Sequence, residues 1–112
     1  MNTITTHVLD TAIGKPAQGI AIRLEIEKGG TFREIGSGET DADGRLKTLL
    51  GGAAPEKAVY RIHFATDAYF KTLGTQGFFP EVSITFRIED PSQHHHVPLL
   101  LSPYGFSTYR GS

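Results

Sequence analysis

Apolar residues recur at every second position along much of this chain. Ile20, Ile22, Leu24 and Ile26 alternate with Ala21, Arg23 and Glu25. Tyr60, Ile62 and Phe64 alternate with Val59, Arg61 and His63, and Val82, Ile84, Phe86 and Ile88 alternate with Ser83, Thr85 and Arg87. Successive side chains of a strand point to opposite faces, so each run predicts a strand with one face on a core. Val97, Leu99 and Leu101 form a further inward row, and Thr5-Thr6-His7-Val8-Leu9-Asp10 reads as a first strand. Turn residues punctuate these runs at Gly14-Lys15-Pro16, Lys28-Gly29-Gly30, Asp43-Gly44, Gly51-Gly52 and Asp90-Pro91. One stretch departs from the pattern. Between Thr66 and Leu73 the residues Ala68, Tyr69, Phe70 and Leu73 repeat closer to about 3.6 than to 2, which predicts one short helix. Thr66 or Asp67 would cap it and Gly74 would end it. Many short strands with Gly and Pro turns point to an all-β antiparallel sandwich.

Composition narrows the classes. With 112 residues the chain holds one core, and with no internal repeat or linker it reads as a single domain over residues 1–112. Cysteine is absent, which removes disulfides, thiolate metal sites and a cysteine nucleophile. A formal net charge of -1 lacks the basic stripe of a nucleic-acid binder. No apolar run reaches the roughly 20 residues of a membrane-spanning helix. The opening Met1-Asn2-Thr3-Ile4-Thr5-Thr6 has neither the basic nor the apolar region of a secretory signal, so the cytoplasm is the expected compartment. The periplasm and the peroxisome stay open, although no Ser-Lys-Leu ending is present.

Candidate chemistry starts with histidine. His7 lies in the first strand, and His94, His95 and His96 precede Val97-Pro98-Leu99-Leu100-Leu101. With Val97, Leu99 and Leu101 inward, alternation turns His95 inward and puts His94 and His96 on the outer face with Pro98 and Leu100. An outer face of His, Pro and Leu suits a surface covered by a ligand or another subunit. Pro98 is awkward inside a strand, because it cannot donate to a ladder. Imidazole exchanges a proton near neutral pH and is suited to activating water. Two histidines at i, i+2 also suit zinc, but no third ligand stands at a recognisable spacing. Asp41-Ala42-Asp43-Gly44 faintly suggests a calcium loop; Gly52 occupies the place of the required Glu, so calcium is rejected. The simpler reading is a tight Asp43-Gly44 turn that presents Arg45, whose planar guanidinium suits a carbonyl or enolate oxygen. The polar stretch from Tyr104 to Ser112 reads as strand-like, followed by an end that would ordinarily fray.

Three segments together resemble one family. They are Thr6-His7-Val8-Leu9-Asp10-Thr11, Thr40-Asp41-Ala42-Asp43-Gly44-Arg45, and His96-Val97-Pro98-Leu99-Leu100-Leu101-Ser102-Pro103 continuing to Ser107-Thr108-Tyr109-Arg110-Gly111-Ser112. The chain is similar to the 5-hydroxyisourate hydrolases of the transthyretin-like family, and Phe78-Phe79-Pro80-Glu81-Val82 also fits. The likeness runs from His7 to Ser112. Tyr109-Arg110-Gly111-Ser112 is its most specific part, because it separates the hydrolases from the hormone carrier. The resemblance implies a transthyretin-like sandwich of two four-stranded sheets with one short helix. It also implies a homotetramer, a dimer of dimers, with small-molecule sites in the channel between dimers. His7, Arg45, His96 and Ser112 match the family's catalytic positions; His7, Arg45, Tyr109, Arg110 and Ser112 are the expected substrate contacts. His95 stands where many relatives carry an aromatic residue, so the catalytic role falls to His96, with His94 beside it. The implied reaction is hydrolysis of 5-hydroxyisourate in urate degradation, with no metal or cofactor called for. Which histidine is the base stays open. The rival is a non-catalytic carrier of a small aromatic ligand on the same fold; a structural sandwich used in adhesion fits least.

Overall fold

Alternation becomes sheet in β3 (Ala21–Lys28), where Ile22, Leu24 and Ile26 are buried and Ala21 and Arg23 face out. The structure, a computed structural model, describes residues 3–111. The same pattern builds β6 (Ala58–Phe64), which buries Tyr60, Ile62 and Phe64, and β7 (Val82–Ile88), which buries Val82, Ile84 and Ile88. With β4 (Thr31–Glu39) these strands form one antiparallel sheet in the order β4-β3-β6-β7. Strand β4 shows little alternation and was not expected from the pattern. It lies at the edge and contains Gly36, where a Cβ would overlap the Leu49 carbonyl.

The second sheet is built from β1 (Ile4–Asp10), the short β2 (Lys15–Pro16) and β5 (Arg45–Leu46), β8 (His95–Ser102) and β9 (Gly105–Thr108). It runs β2-β1-β8-β9, with β5 also paired to β1. Its central pair is parallel: β1 and β8 align from Ile4↔His95 to Asp10↔Leu101. Ile4 and Val8 from β1 and Val97, Leu99 and Leu101 from β8 meet the inner face of the other sheet in one core. Full burial of such a side chain stabilises the fold by about 1.5–3 kcal/mol.

Pro98 is accommodated by an interruption. The β8·β9 ladder runs from Ser102↔Gly105 to Leu99↔Thr108 and resumes only as a single bridge at His96↔Gly111. Pro98, which has no N–H, sits between, and its carbonyl accepts a hydrogen bond from the Thr108 hydroxyl at 2.7 Å.

The expected helix is α1 (Thr66–Thr72), which buries Tyr69 and Phe70. Its capping differs from expectation. Ala65 is the N-cap, with no side-chain cap bond, and the Thr66 hydroxyl donates to the Phe79 carbonyl at 2.9 Å. Asp67 stays in the first turn, where the helix dipole favours a carboxylate. Gly74 ends the helix just past its Leu73 C-cap with a left-handed φ of 67°, a region that favours glycine.

Candidate active site

The site is built by register. In a parallel pair, facing residues share a side of the sheet, and Thr5 faces His96 while His7 faces Pro98. In the antiparallel pair with β5, His7 faces Arg45. Thr5, His7, Arg45 and His96 therefore emerge on one face. The expected orientation of β8 holds: His95 is buried with Val97, Leu99 and Leu101, and His96 lies half-buried on the outer face. Leu100 is half-buried there, and Pro98 is buried rather than exposed.

The turn before Arg45 uses its own carboxylate. Asp41 Oδ1 accepts from the amides of Asp43 at 2.9 Å and Arg45 at 3.0 Å, and the Arg45 amide holds the Asp41 carboxyl below its usual range. Gly44 has a φ of 75°, and a Cβ there would overlap the Val8 carbonyl. The turn thus clips onto β1, through a Val8 N–H to Gly44 carbonyl bond of 2.7 Å, and delivers Arg45 opposite His7.

A depression of about 300 Å³ opens on this face, lined by Thr3, Thr5, Thr6, Arg45, Lys47, His94 and His96. Burial is the main force lowering the proton affinity of His96, followed by the charges of Arg45, His7 and His94. His96 is thereby favoured in its neutral form, the form able to accept a proton. Its Nδ1 lies 2.8 Å from Thr5 Oγ1, and the same oxygen lies 3.0 Å from His94 Nε2. The two rings are nearly parallel, with centroids 6.4 Å apart.

The C-terminal stretch reaches the same histidine. The Gly111 N–H donates to the His96 carbonyl at 2.8 Å. A Cβ at Gly111 would lie 2.6 Å from His96 Cδ2 and 3.3 Å from Pro98 Cγ, so only glycine permits this approach. Ser112, the adjoining residue in the expected site, lies outside the described residues. Tyr109 and Arg110 are exposed, and Arg110 donates to Gln93 Oε1 at 2.8 Å. With Thr108, His95 and His96 they line a neighbouring depression of about 250 Å³, set against Ile84 and Phe86 of β7.

The structure thus gathers Arg45, His94 and His96 around one depression, with His7 paired to Arg45 and with Tyr109 and Arg110 to the side. Sequence reasoning missed Thr5 and Lys47. Thr5 carries no distinguishing signal among Thr3, Thr5 and Thr6; only the strand pairing singles it out. Among the described residues, no group of three or more His, Asp or Glu is arranged to hold a metal ion.

A two-sheet sandwich whose central parallel pair and flanking β5 bring two histidines and an arginine to one face defines a transthyretin-like class of protein. The chain belongs to the HIUase/Transthyretin family, whose model matches residues 4–111. It is 44% identical over 111 residues to a 5-hydroxyisourate hydrolase of Salmonella typhimurium, covering 99% of this chain and 82% of that protein. The structure of a Klebsiella pneumoniae 5-hydroxyisourate hydrolase superposes with a TM-score of 0.87 at 34% identity, covering 100% of both chains. A sea bream transthyretin in complex with thyroxine superposes at 0.91 with 28% identity, covering 97% of this chain and 94% of that one.

Proposed function

We propose that the chain is a single-domain hydrolase that opens 5-hydroxyisourate to 2-oxo-4-hydroxy-4-carboxy-5-ureidoimidazoline. The observation that carries this reading is His96, a desolvated imidazole favoured as the free base, in a depression it shares with Arg45. Family membership and identity to named 5-hydroxyisourate hydrolases supply the substrate.

The neutral His96 takes a proton from water as the water oxygen attacks the ring carbonyl. The carbonyl oxygen becomes an alkoxide, which Arg45 stabilises. Collapse breaks the carbon–nitrogen bond, and the ring nitrogen takes up a proton through the histidine pair His7 and His96. The products are a carboxyl group and a ureido nitrogen. General acid–base assistance contributes about 10²–10⁴-fold and one oxyanion donor about 10²–10³-fold, scales suited to a reactive heterocycle. Ser112 adds its hydroxyl to orient water or substrate, and Tyr109 and Arg110 bound the substrate's approach. The working form is a homotetramer, a dimer of dimers, in which a second subunit covers the outer face of β8. The half-buried Leu100 on that face supports the assembly. The cytoplasm is the proposed compartment; among the described residues no helix is long and apolar enough to cross a membrane.

The test is direct. Urate is oxidised in situ, and the decay of 5-hydroxyisourate absorbance is followed with and without protein. Protein-dependent acceleration is expected. No acceleration, together with tight binding of a small aromatic ligand, would replace this reading with the carrier that the likeness to transthyretin suggests.

A further inference from the structure

One hydroxyl touches two imidazoles. Thr5 Oγ1 lies 2.8 Å from His96 Nδ1 and 3.0 Å from His94 Nε2. A hydroxyl has a single proton to donate, so it gives that proton to one ring and accepts an N–H from the other. Two arrangements satisfy both contacts. In one, Thr5 donates to His96 Nδ1 and accepts from His94 Nε2, which leaves the His96 proton on Nε2. In the other, His96 Nδ1–H donates to Thr5, Thr5 donates to His94 Nε2, and His96 Nε2 keeps a free lone pair. Only the second makes His96 a base at its remaining nitrogen.

The two ends of this chain differ in environment. His96 is half-buried, and among the described residues the titratable and charged groups around it are Arg45 and Lys47 from the β5 side, His7 from β1, His94 just before β8, and Tyr109 and Arg110 beyond β9. A positive charge on His96 meets a cation on one side and no carboxylate among these neighbours. His94 is exposed and solvated. Thr5 is only 7% exposed, so bulk water competes weakly for its hydroxyl.

We infer that Thr5 and His94 are positioning residues that form a proton relay behind His96. This rests on the reading of His96 as the general base. When Nε2 takes the proton of water, the Nδ1 proton passes to Thr5 Oγ1 as the Thr5 proton passes to His94 Nε2. His96 is left neutral with a proton on Nε2, and the charge rests on His94 at the surface. The reverse shift accompanies donation of the Nε2 proton to the departing ring nitrogen. No proton is gained or lost over the cycle, and His96 acts first as base and then as acid without holding the charge.

The experiment compares the intact protein with Thr5→Val, Thr5→Ser and His94→Gln. Nitrogen-15 spectra of the histidines are followed across pH without substrate, and steady-state kinetics are measured beside them. In the intact protein, His94 and His96 should titrate as a coupled pair with His96 protonated at Nδ1. Thr5→Val should uncouple them, lower kcat by about tenfold, a part of the general acid–base contribution, and leave KM nearly unchanged. Thr5→Ser should restore coupling and most of kcat, which a purely packing role would not do; His94→Gln should reproduce the kinetic loss. Independent titration in the intact protein, unchanged spectra in Thr5→Val, or a Thr5→Ser as impaired as Thr5→Val would each overturn the relay. An intact protein without hydrolase activity but with coupled histidines would overturn the proposed reaction and leave the hydrogen-bonded link standing.

Discussion

The outer faces of the two sheets each carry a histidine hydrogen-bonded to a hydroxyl, and they make opposite use of it. On the β3·β6·β7 face, His63 Nδ1 lies 2.8 Å from Ser83 Oγ and its Nε2 lies 2.6 Å from Glu25 Oε1. Hydroxyl, imidazole and carboxylate stand in the order of a hydrolytic triad. Yet Arg61 binds the same Glu25 oxygen at 2.8 Å, which draws the carboxylate into an ion pair. The bonds from His63 and Arg61 hold the Glu25 carboxyl below its usual range, as expected of a structural ion network. Strand β6 is paired on both sides, so its amides are spent on ladders rather than on an oxyanion. On the β1·β8 face, by contrast, His96 has one nitrogen tied by Thr5, no carboxylate partner among the described residues and an adjacent cation. Residue types alone do not separate the two clusters. A free ring atom, an environment that disfavours the imidazolium and a concave surface do.

The largest effect should come from removing the groups that only one face possesses. His96→Ala and Arg45→Ala should each lower kcat by about 10²-fold or more, the scale of one proton-transfer or oxyanion group. His63→Ala should leave kcat within about twofold, since it removes no group of the proposed machinery. Steady-state assays of the three variants decide this, and a dead His63→Ala with a folded spectrum would reverse the comparison.

A somewhat smaller loss should follow Gly111→Ala. The added methyl meets the His96 ring at 2.6 Å, and the ring or the strand must shift. Displacement of a catalytic group by about 1 Å costs about 10²-fold at most, so kcat should fall by about 10- to 100-fold. The melting temperature should move little, because Gly111 supports no core side chain. An active Gly111→Ala would show that the imidazole position tolerates adjustment.

The pH profile sharpens the contrast further. Burial and the Arg45, His7 and His94 charges depress the proton affinity of His96, so the neutral base persists below its ordinary pKa of 6.5. The acid limb of kcat/KM should therefore fall below that value. In the residual activity of Arg45→Ala the limb should move to higher pH, because one repelling charge is gone. An unmoved limb would assign it to another group.

The smallest effect is expected at His95. This residue is 4% exposed, and its buried Nδ1 has no hydrogen-bond partner among the described residues. His95→Phe should leave kcat unchanged and raise stability by about 1 kcal/mol, the lower end of the cost of an unsatisfied buried polar atom. Denaturant unfolding alongside the assay measures both.

Much of this arrangement was legible in the sequence. Alternation located the buried rows of β3, β6, β7 and β8, and the same logic separated His95 from His96. It is blind to strand direction, so the parallel partnership of β1 and β8 was not visible. That partnership sets Thr5 beside His96. Strand β4 escaped because Gly36, Ser37 and Gly38 interrupt any apolar rhythm. The Asp43-Gly44 turn is visible in the sequence, but its consequence, Arg45 opposite His7, depends on pairing with β1.

The pairing of β1 with β8 also bears on the protein's birth. Thr5 and His96 are separated by 91 positions in the chain. Bringing such distant segments together carries a loop-closure cost that no local contact offsets in advance. During synthesis β1 must emerge long before its central partner exists and wait with one edge unpaired. The proposed catalytic face is therefore among the last features to form, and a chain interrupted between Arg45 and His96 carries His7 and Arg45 with nothing to serve.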